Sequence, residues 1–268
     1  MIPNILSIAG SDASGGAGIQ ADLKAIGANG GYGMSVITAL TAQNTQGVRA
    51  VALTDLAMIR AQMQAIRDDI RIDAVKIGML GSPEIVLLVA ELLAGLDCPV
   101  VLDPVMVAKG GDRLLAAEAV AALRSHLLPR ASVITPNLPE AADLLDTAEA
   151  DSPAQMQAQA RALLALGPRA VLLKGGHLPG GACPDLLVDA DGQQTFEAPR
   201  IATANTHGTG CTLSSALATQ LGHGLPLARA TAAAKAYITA AIAGADRLRV
   251  GHGHGPVHHF HALEKTPT

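Results

Sequence analysis

The segment Asn205-Thr206-His207-Gly208-Thr209-Gly210-Cys211-Thr212 carries the residue types needed to hold an anion. Two glycines permit a tight turn whose N–H groups point outward as a helix begins, and Leu213, Leu217 and Leu221 give that helix one apolar face. Unpaired backbone donors and the positive end of the helix dipole together suit the charge that develops on a transferring phosphoryl group. A plain glycine-rich helix entry is the alternative. Cys211 falls in the first turn, where the dipole lowers a thiol pKa; an inert buried cysteine is the competing reading. Lys174, followed by Gly175-Gly176-His177, could set an ammonium beside polyphosphate, or simply snorkel to the surface. Asp103, Asn137 and Glu140 are oxygen donors of the sparse kind that holds magnesium partly through water. Asn137 and Glu140 also read as the cap and first turn of a helix around Pro139.

These residues must be gathered by the elements between them. Strand-like runs recur at Ile5–Ala9, Ser35–Leu40, Ala74–Ile77, Val100–Asp103, Ser132–Ile134 and Ala170–Lys174, with helical patterns between most of them. That alternation predicts an α/β fold with a mostly parallel sheet and crossover helices. Leu56, Ile59, Met63, Ile66 and Ile70 mark one buried helical face, and Ser82-Pro83 reads as a cap and first-turn proline. Asp185–Asp189 and Gln193–Ala198, joined through Ala190-Asp191-Gly192, predict a hairpin at one sheet edge. Two helices follow, near 208–221 and 226–247. In open sheets of this kind ligands bind beyond the carboxyl ends of the strands. Asp103-Pro104, Thr135-Pro136-Asn137 and Lys174-Gly175-Gly176 all end strand-like runs, so their polar groups should meet on one rim. No repeat, linker or composition break divides the chain, and residues 1–268 read as one domain.

Other phosphate devices fit poorly. Gly16-Ala17-Gly18-Ile19-Gln20-Ala21 matches a dinucleotide fingerprint formally, but it begins six positions after Gly10 at the strand end, and the second strand ends in Ala42-Gln43-Asn44 without a ribose-gripping acid. A glycine-rich loop over a ligand fits better. The one Lys followed by Ser or Thr is Lys265-Thr266, with no glycine loop before it, which excludes a P-loop. Five of the nine histidines lie between His252 and His261, which invites either a transition metal or a tail wrapped on the domain by imidazole hydrogen bonds.

Composition narrows the partners. With 268 residues, 49% hydrophobic and 16% charged, the chain can bury a large core, while a net charge of −4 and 1% aromatic content offer no basic track or stacking platform for nucleic acid. Cys98, Cys183 and Cys211 sit at unrelated spacings, which fits a reducing cytosol. No apolar run is long enough to span a bilayer and no leader is evident, so a cytoplasmic protein without a membrane partner is expected.

Taken together, Ala9-Gly10-Ser11-Asp12, Ser14 to Asp22, Thr38 to Thr45, Lys76-Ile77-Gly78-Met79-Leu80, Thr135 to Glu140 and Asn205 to Thr212 resemble the hydroxymethylpyrimidine/phosphomethylpyrimidine kinases of thiamine biosynthesis, over nearly the whole chain. The resemblance implies a ribokinase-like three-layer sandwich, usually a homodimer. It implies two successive transfers from ATP with Mg2+, onto the hydroxymethyl of 4-amino-5-hydroxymethyl-2-methylpyrimidine and then onto the resulting monophosphate. Gln43 would hydrogen-bond the pyrimidine, with Asp22 and Met79 lining the pocket and Val105 packing on the ring. Asp103, Asn137 and Glu140 would arrange magnesium and water, Lys174 would meet the ATP phosphates, and Gly208, Thr209, Gly210 and Cys211 would hold the moving phosphoryl group. Related sugar kinases carry an Asp base where Cys211 stands. Cys211→Ala is therefore expected to lose most turnover and Cys211→Asp to keep some. The loop 107–112 would close over the substrate. A pyridoxal kinase is the nearest rival; a thiol acyltransferase using His207 and Cys211 and a noncatalytic ligand sensor are more distant ones.

Overall fold

The computed structural model describes residues 1–106, 117–178 and 180–263. In chain order it comprises β1 (Asn4–Ala9), α1 (Gly18–Ala28), β2 (Tyr32–Ile37), β3 (Ala39–Asn44), β4 (Gly47–Leu53), α2 (Leu56–Arg67), β5 (Ala74–Ile77), α3 (Pro83–Leu92), β6 (Val100–Leu102), α4 (Ala117–Ala122), β7 (Val133–Ile134), α5 (Leu138–Leu145), α6 (Pro153–Leu164), β8 (Ala170–Lys174), β9 (Asp185–Asp189), β10 (Gly192–Phe196), α7 (Thr209–Gly222) and α8 (Leu227–Ala243). The loop 107–112, expected to close over a ligand, lies outside the described residues.

Alternation along the strands decides which side each residue faces. Leu6, Ile8, Val75, Ile77, Leu102 and Ile134 pack in one core with α2 to α6, while Ile5, Ala74, Val101, Val133 and Leu172 pack with α7 and α8. The result is the ribokinase-like α/β sandwich expected, with helices on both faces. The eight strands follow the order β10-β9-β8-β7-β6-β5-β1-β2. The run from β2 to β8 is parallel, and β9 and β10 are antiparallel additions at the edge. After β2 the chain crosses to the opposite side of β1, so the strand order reverses between β1 and β5. That switch point opens a crevice at the carboxyl ends of the two strands.

The run 35–40 is not one strand. β2 stops at Ile37, and Thr38 turns the chain by donating its N–H to the Ala9 carbonyl (3.0 Å) and its hydroxyl to the Met79 carbonyl (2.7 Å). β3 then leaves the main sheet and pairs antiparallel with β4, with a bulge at Ala42/Gln43. The helix entries are those the sequence predicts: Ser82 Oγ accepts from Ile85 N–H before Pro83, and Asn137 and Glu140 form a capping box at α5.

Candidate active site

Two groups of polar residues sit along the rim. The first joins the ends of β6, β7 and β8 to the start of α7. Lys174 Nζ donates to Asp103 Oδ1 at 3.1 Å and lies 3.9 Å from Glu140 Oε2; the Thr135 hydroxyl also donates to Asp103, at 3.1 Å. Gly210 faces this pair so closely that a Cβ there would fall 3.1 Å from Lys174 Nζ and 3.3 Å from Asp103 Oδ2. The predicted convergence of Asp103, Asn137, Glu140 and Lys174 with the glycine turn is therefore present.

Charge is concentrated here. Burial lowers the Lys174 ammonium, but Asp103 and then Glu140 outweigh it and hold it above its ordinary value. Burial raises the Glu140 carboxyl, and Asp103 adds to that against the pull of Lys174. Two carboxylates that share one amine, with Glu140 still reluctant to ionise, form a hard oxygen set suited to a divalent cation. Asn137 is less available. Its side-chain oxygen accepts from Glu140 N–H (2.8 Å), while Glu140 Oε2 accepts from Asn137 N–H (2.8 Å).

The turn itself depends on Gly208, which caps α7 in the left-handed conformation (φ 76°) with its α-carbon pressed against the Gly16 carbonyl. α7 has no side-chain cap, and among the described hydrogen bonds none takes the N–H of Gly210 or Cys211. Both lie in the first turn of α7, where Gly210 sits against Lys174 and Asp103, the place an anion site requires free donors. Of the two readings of Cys211, a dipole-lowered thiol and an inert buried one, its surroundings favour the second. Burial, with Asp22 and Asp103 adding to it, pushes the thiol up to about 11 against the pull of Lys76 and the Gly18 N–H. At neutral pH the group is a thiol, because desolvation outweighs the helix dipole.

The second group lines the switch-point crevice. Gly10 N–H donates to the Met79 carbonyl (3.1 Å), placing Met79 beside the β1 end. Gln43, at the β3 bulge, brings its Nε2 to 3.3 Å from His207 Nε2, and that ring nitrogen lies 2.8 Å from Asp12 Oδ2. Asp12 organises the loop before α1: Oδ1 accepts from Ser14 N–H and hydroxyl, and Oδ2 from Gly16 and Ala17 N–H. Val105 follows Asp103 in a tight turn, its N–H donating to the Asp103 carbonyl at 2.8 Å. Asp22 differs from its expected place on the pocket wall. It lies on α1, wholly buried against the sheet and α7, and its oxygens accept from Lys76 Nζ (2.8 Å), the Ser7 hydroxyl (2.6 Å) and the Ser215 hydroxyl (2.8 Å). Its role in this arrangement is that of counter-ion to Lys76, itself 0% exposed.

The histidine-rich tail is a strap. His254 N–H donates to the Thr45 carbonyl at the β3–β4 tip, Gly255 N–H to Asn205 Oδ1, and the Gly255 carbonyl accepts from His207 N–H, at 2.9 to 3.0 Å. His259 Nε2 meets the Thr212 hydroxyl at 3.0 Å, and Tyr237 donates to the His259 carbonyl. The imidazoles of His254 and His261 also meet the carbonyls of Ala204 and His258, bonds of the kind the wrapped-tail reading expects.

A family model described as phosphomethylpyrimidine kinase matches residues 12–258, which takes in both groups and most of the strap. The chain belongs to the phosphomethylpyrimidine kinase family. It is 56% identical over 260 residues to the hydroxymethylpyrimidine/phosphomethylpyrimidine kinase of Escherichia coli (strain K12), covering 97% of this chain and 98% of that one. Among solved structures, it resembles an ADP complex of Bacillus subtilis pyridoxal kinase with a TM-score of 0.90 and 37% identity, over 98% and 99% of the two chains. It also resembles the phosphomethylpyrimidine kinase of Clostridium difficile 630 with a TM-score of 0.79 and 44% identity, over 90% and 100%.

Within this family member, the sequence reading gives no role to Lys76 or to the Asp12–His207 pair. A signal for the first exists. Ala74-Val75-Lys76-Ile77 puts one charge into a fully buried strand, and such a charge needs an equally buried partner. The Asp12–His207 pair joins residues 195 apart, and no local spacing announces it.

Proposed function

We infer that this chain is a bifunctional ATP-dependent kinase. It phosphorylates the hydroxymethyl group of 4-amino-5-hydroxymethyl-2-methylpyrimidine and then the monophosphate, forming the diphosphate used in thiamine biosynthesis. The observation that carries this reading is the glycine turn at Gly208–Cys211 opening α7 against Lys174 and Asp103, within a chain of this family. Residues 1–268 form one kinase domain.

The glycine turn receives the moving phosphoryl group, and Lys174 offsets the charge of the ATP phosphates. Asp103 and Glu140, with Asn137 through water, would hold Mg2+, which when bound would supply further positive charge beside the ATP phosphates. Gln43, Met79 and Val105 hold the pyrimidine in the switch-point crevice, with Asp22 behind them on Lys76. Cys211, protonated at neutral pH, positions groups rather than removing a proton. A largely dissociative transfer needs little help from a base.

The protein acts in the cytoplasm as a homodimer. Leu40, Val51, Leu53, Leu56 and Met58 are exposed on and beside the β3–β4 hairpin, an apolar surface of the kind that another subunit covers. No described helix is long and apolar enough to cross a membrane. The likeness to a pyridoxal kinase favours pyridoxal as a second substrate. ATP consumption measured side by side with the pyrimidine alcohol, its monophosphate and pyridoxal tests the reading: both pyrimidines should be used, and turnover of pyridoxal alone would replace it with the second.

A further inference from the structure

The contact of Gln43 with the Asp12–His207 pair has a chemical consequence for what Gln43 can offer a ligand. A single ring nitrogen, His207 Nε2, lies 2.8 Å from Asp12 Oδ2 and 3.3 Å from Gln43 Nε2. An imidazole nitrogen carries either one N–H or one in-plane lone pair, never both. Asp12 acts purely as an acceptor, taking four donors from Ser14, Gly16 and Ala17. Burial raises this carboxyl, but the hydrogen bonds from His207 and Ser14 outweigh that and hold it below its ordinary value, so it faces the ring as an anion. A lone pair on Nε2 pointed at that anion would be repelled. The proton must sit on Nε2, in the neutral ring and in the imidazolium alike.

With Nε2 a donor, the NH2 of Gln43 cannot face it; the amide oxygen can, as the longer arm of the one N–H that Asp12 also accepts. Rotating a terminal amide by half a turn exchanges its N and O without moving the rest of the side chain. Among the described hydrogen bonds, the other amide atom of Gln43 has no partner, and the residue is partly exposed, so that atom is open to a ligand. The tail strap adds to the fixation, since the Gly255 carbonyl accepts from the His207 backbone N–H and the carbonyl of Thr45, two residues beyond Gln43, accepts from the His254 backbone N–H.

We propose that Asp12 and His207 form a positioning pair that locks the Gln43 amide with its oxygen toward the imidazole N–H and its NH2 toward the crevice. Gln43 is thereby a hydrogen-bond donor, selecting heteroaromatic alcohols that present a ring-nitrogen acceptor on that edge. This rests on the reading of Gln43 as the pyrimidine contact, and two measurements separate the failure of each. The first is 15N NMR of the histidine rings in the intact, ligand-free protein. His207 should show a proton bonded directly to Nε2, and an unprotonated Nε2 would overturn the lock whatever the substrate is.

The second is kcat and KM for hydroxymethylpyrimidine in Gln43→Glu and His207→Gln. Gln43→Glu keeps an acceptor for His207 but offers no donor to the ligand. It should lose about 10- to 100-fold in kcat/KM, mainly through KM, the range expected when a buried hydrogen-bonding group is left unpaired. His207→Gln has two N–H bonds on one nitrogen, enough for Asp12 and the Gln43 oxygen, and should stay within about threefold of wild type. Gln43→Glu with wild-type KM would overturn the assignment, as would a loss in His207→Gln as large as that in Gln43→Glu in a variant that keeps the wild-type circular dichroism. A wild-type protein inactive on the pyrimidine would instead remove the functional reading and leave the NMR result to decide the lock.

Discussion

Replacing Gly208 by Ala tests the backbone turn without touching any functional side chain. Gly208 sits at φ 76°, and a Cβ there would be driven into the Gly16 carbonyl oxygen. The left-handed conformation alone costs about 1–2 kcal/mol in a residue with a Cβ. Relieving the overlap requires the turn or the Asp12–Ala17 loop to give way by about 1 Å, and a misplacement of that size can cost about 100-fold in rate. Gly224 is a matched control at the other end of α7. Its φ is 83°, and a Cβ there meets nothing within 4 Å. Gly208→Ala and Gly224→Ala should therefore both lose at least about 1–2 kcal/mol in urea unfolding, while only Gly208→Ala loses about 100-fold in kcat. Steady-state kinetics with ATP and hydroxymethylpyrimidine reads the second quantity. Wild-type kcat in Gly208→Ala would refute the role given to the turn, and equal losses of kcat in both variants would show that strain alone accounts for the effect.

Further outcomes follow from the buried ionisable groups. His259 is pulled from its ordinary 6.5 to about 4, by burial first and then by Lys24 and its neighbouring histidines. Its folded pKa lies below the unfolded one, so its contribution to stability is full above 6.5 and lost as pH falls toward 4. Between pH 7.5 and 5 that loss is about 2 kcal/mol, and urea unfolding of His259→Gln should show a pH dependence shallower by that amount; parallel curves would contradict it. With the Cys211 thiol at about 11, only about one molecule in 10,000 carries the thiolate at pH 7. kcat should thus change less than about threefold from pH 7 to 9, whereas a tenfold rise per pH unit that disappears in Cys211→Ala would restore a thiolate base. Lys76→Met leaves Asp22 as an unpaired buried charge and should cost about 3–5 kcal/mol in urea unfolding; a loss below about 1 kcal/mol would mean that the pair is not buried in solution.

The fold was legible where one face of an element is buried. β1, β5, β6, β7 and β8 announce themselves as apolar runs, and the capping residues Ser82 and Asn137 mark helix starts because their bonds are local. β4 was not legible. Gly47–Leu53 is exposed along nearly its whole length, so no alternation distinguishes its faces, and β3 merged with the end of β2 because Thr38 turns the chain through long-range bonds. In the site, the strand-end positions of Asp103 and Lys174 could be read from sequence, since the topology of an open sheet sends them to one rim. Two readings of Cys211 stayed open in the sequence for a physical reason. Position in a helix first turn is visible in sequence, but the burial that outweighs the dipole is not. Asp22 illustrates the same limit, because the Lys76 that occupies it lies 54 residues away on a neighbouring strand.

The fate of the two phosphoryl groups can be followed by 31P NMR of the purified protein with ATP, Mg2+ and hydroxymethylpyrimidine. A pyrimidine monophosphate signal should appear and then be replaced by a diphosphate, with two ADP formed per pyrimidine consumed. ATP left intact, or a monophosphate that accumulates and is never phosphorylated further, would contradict the two successive transfers.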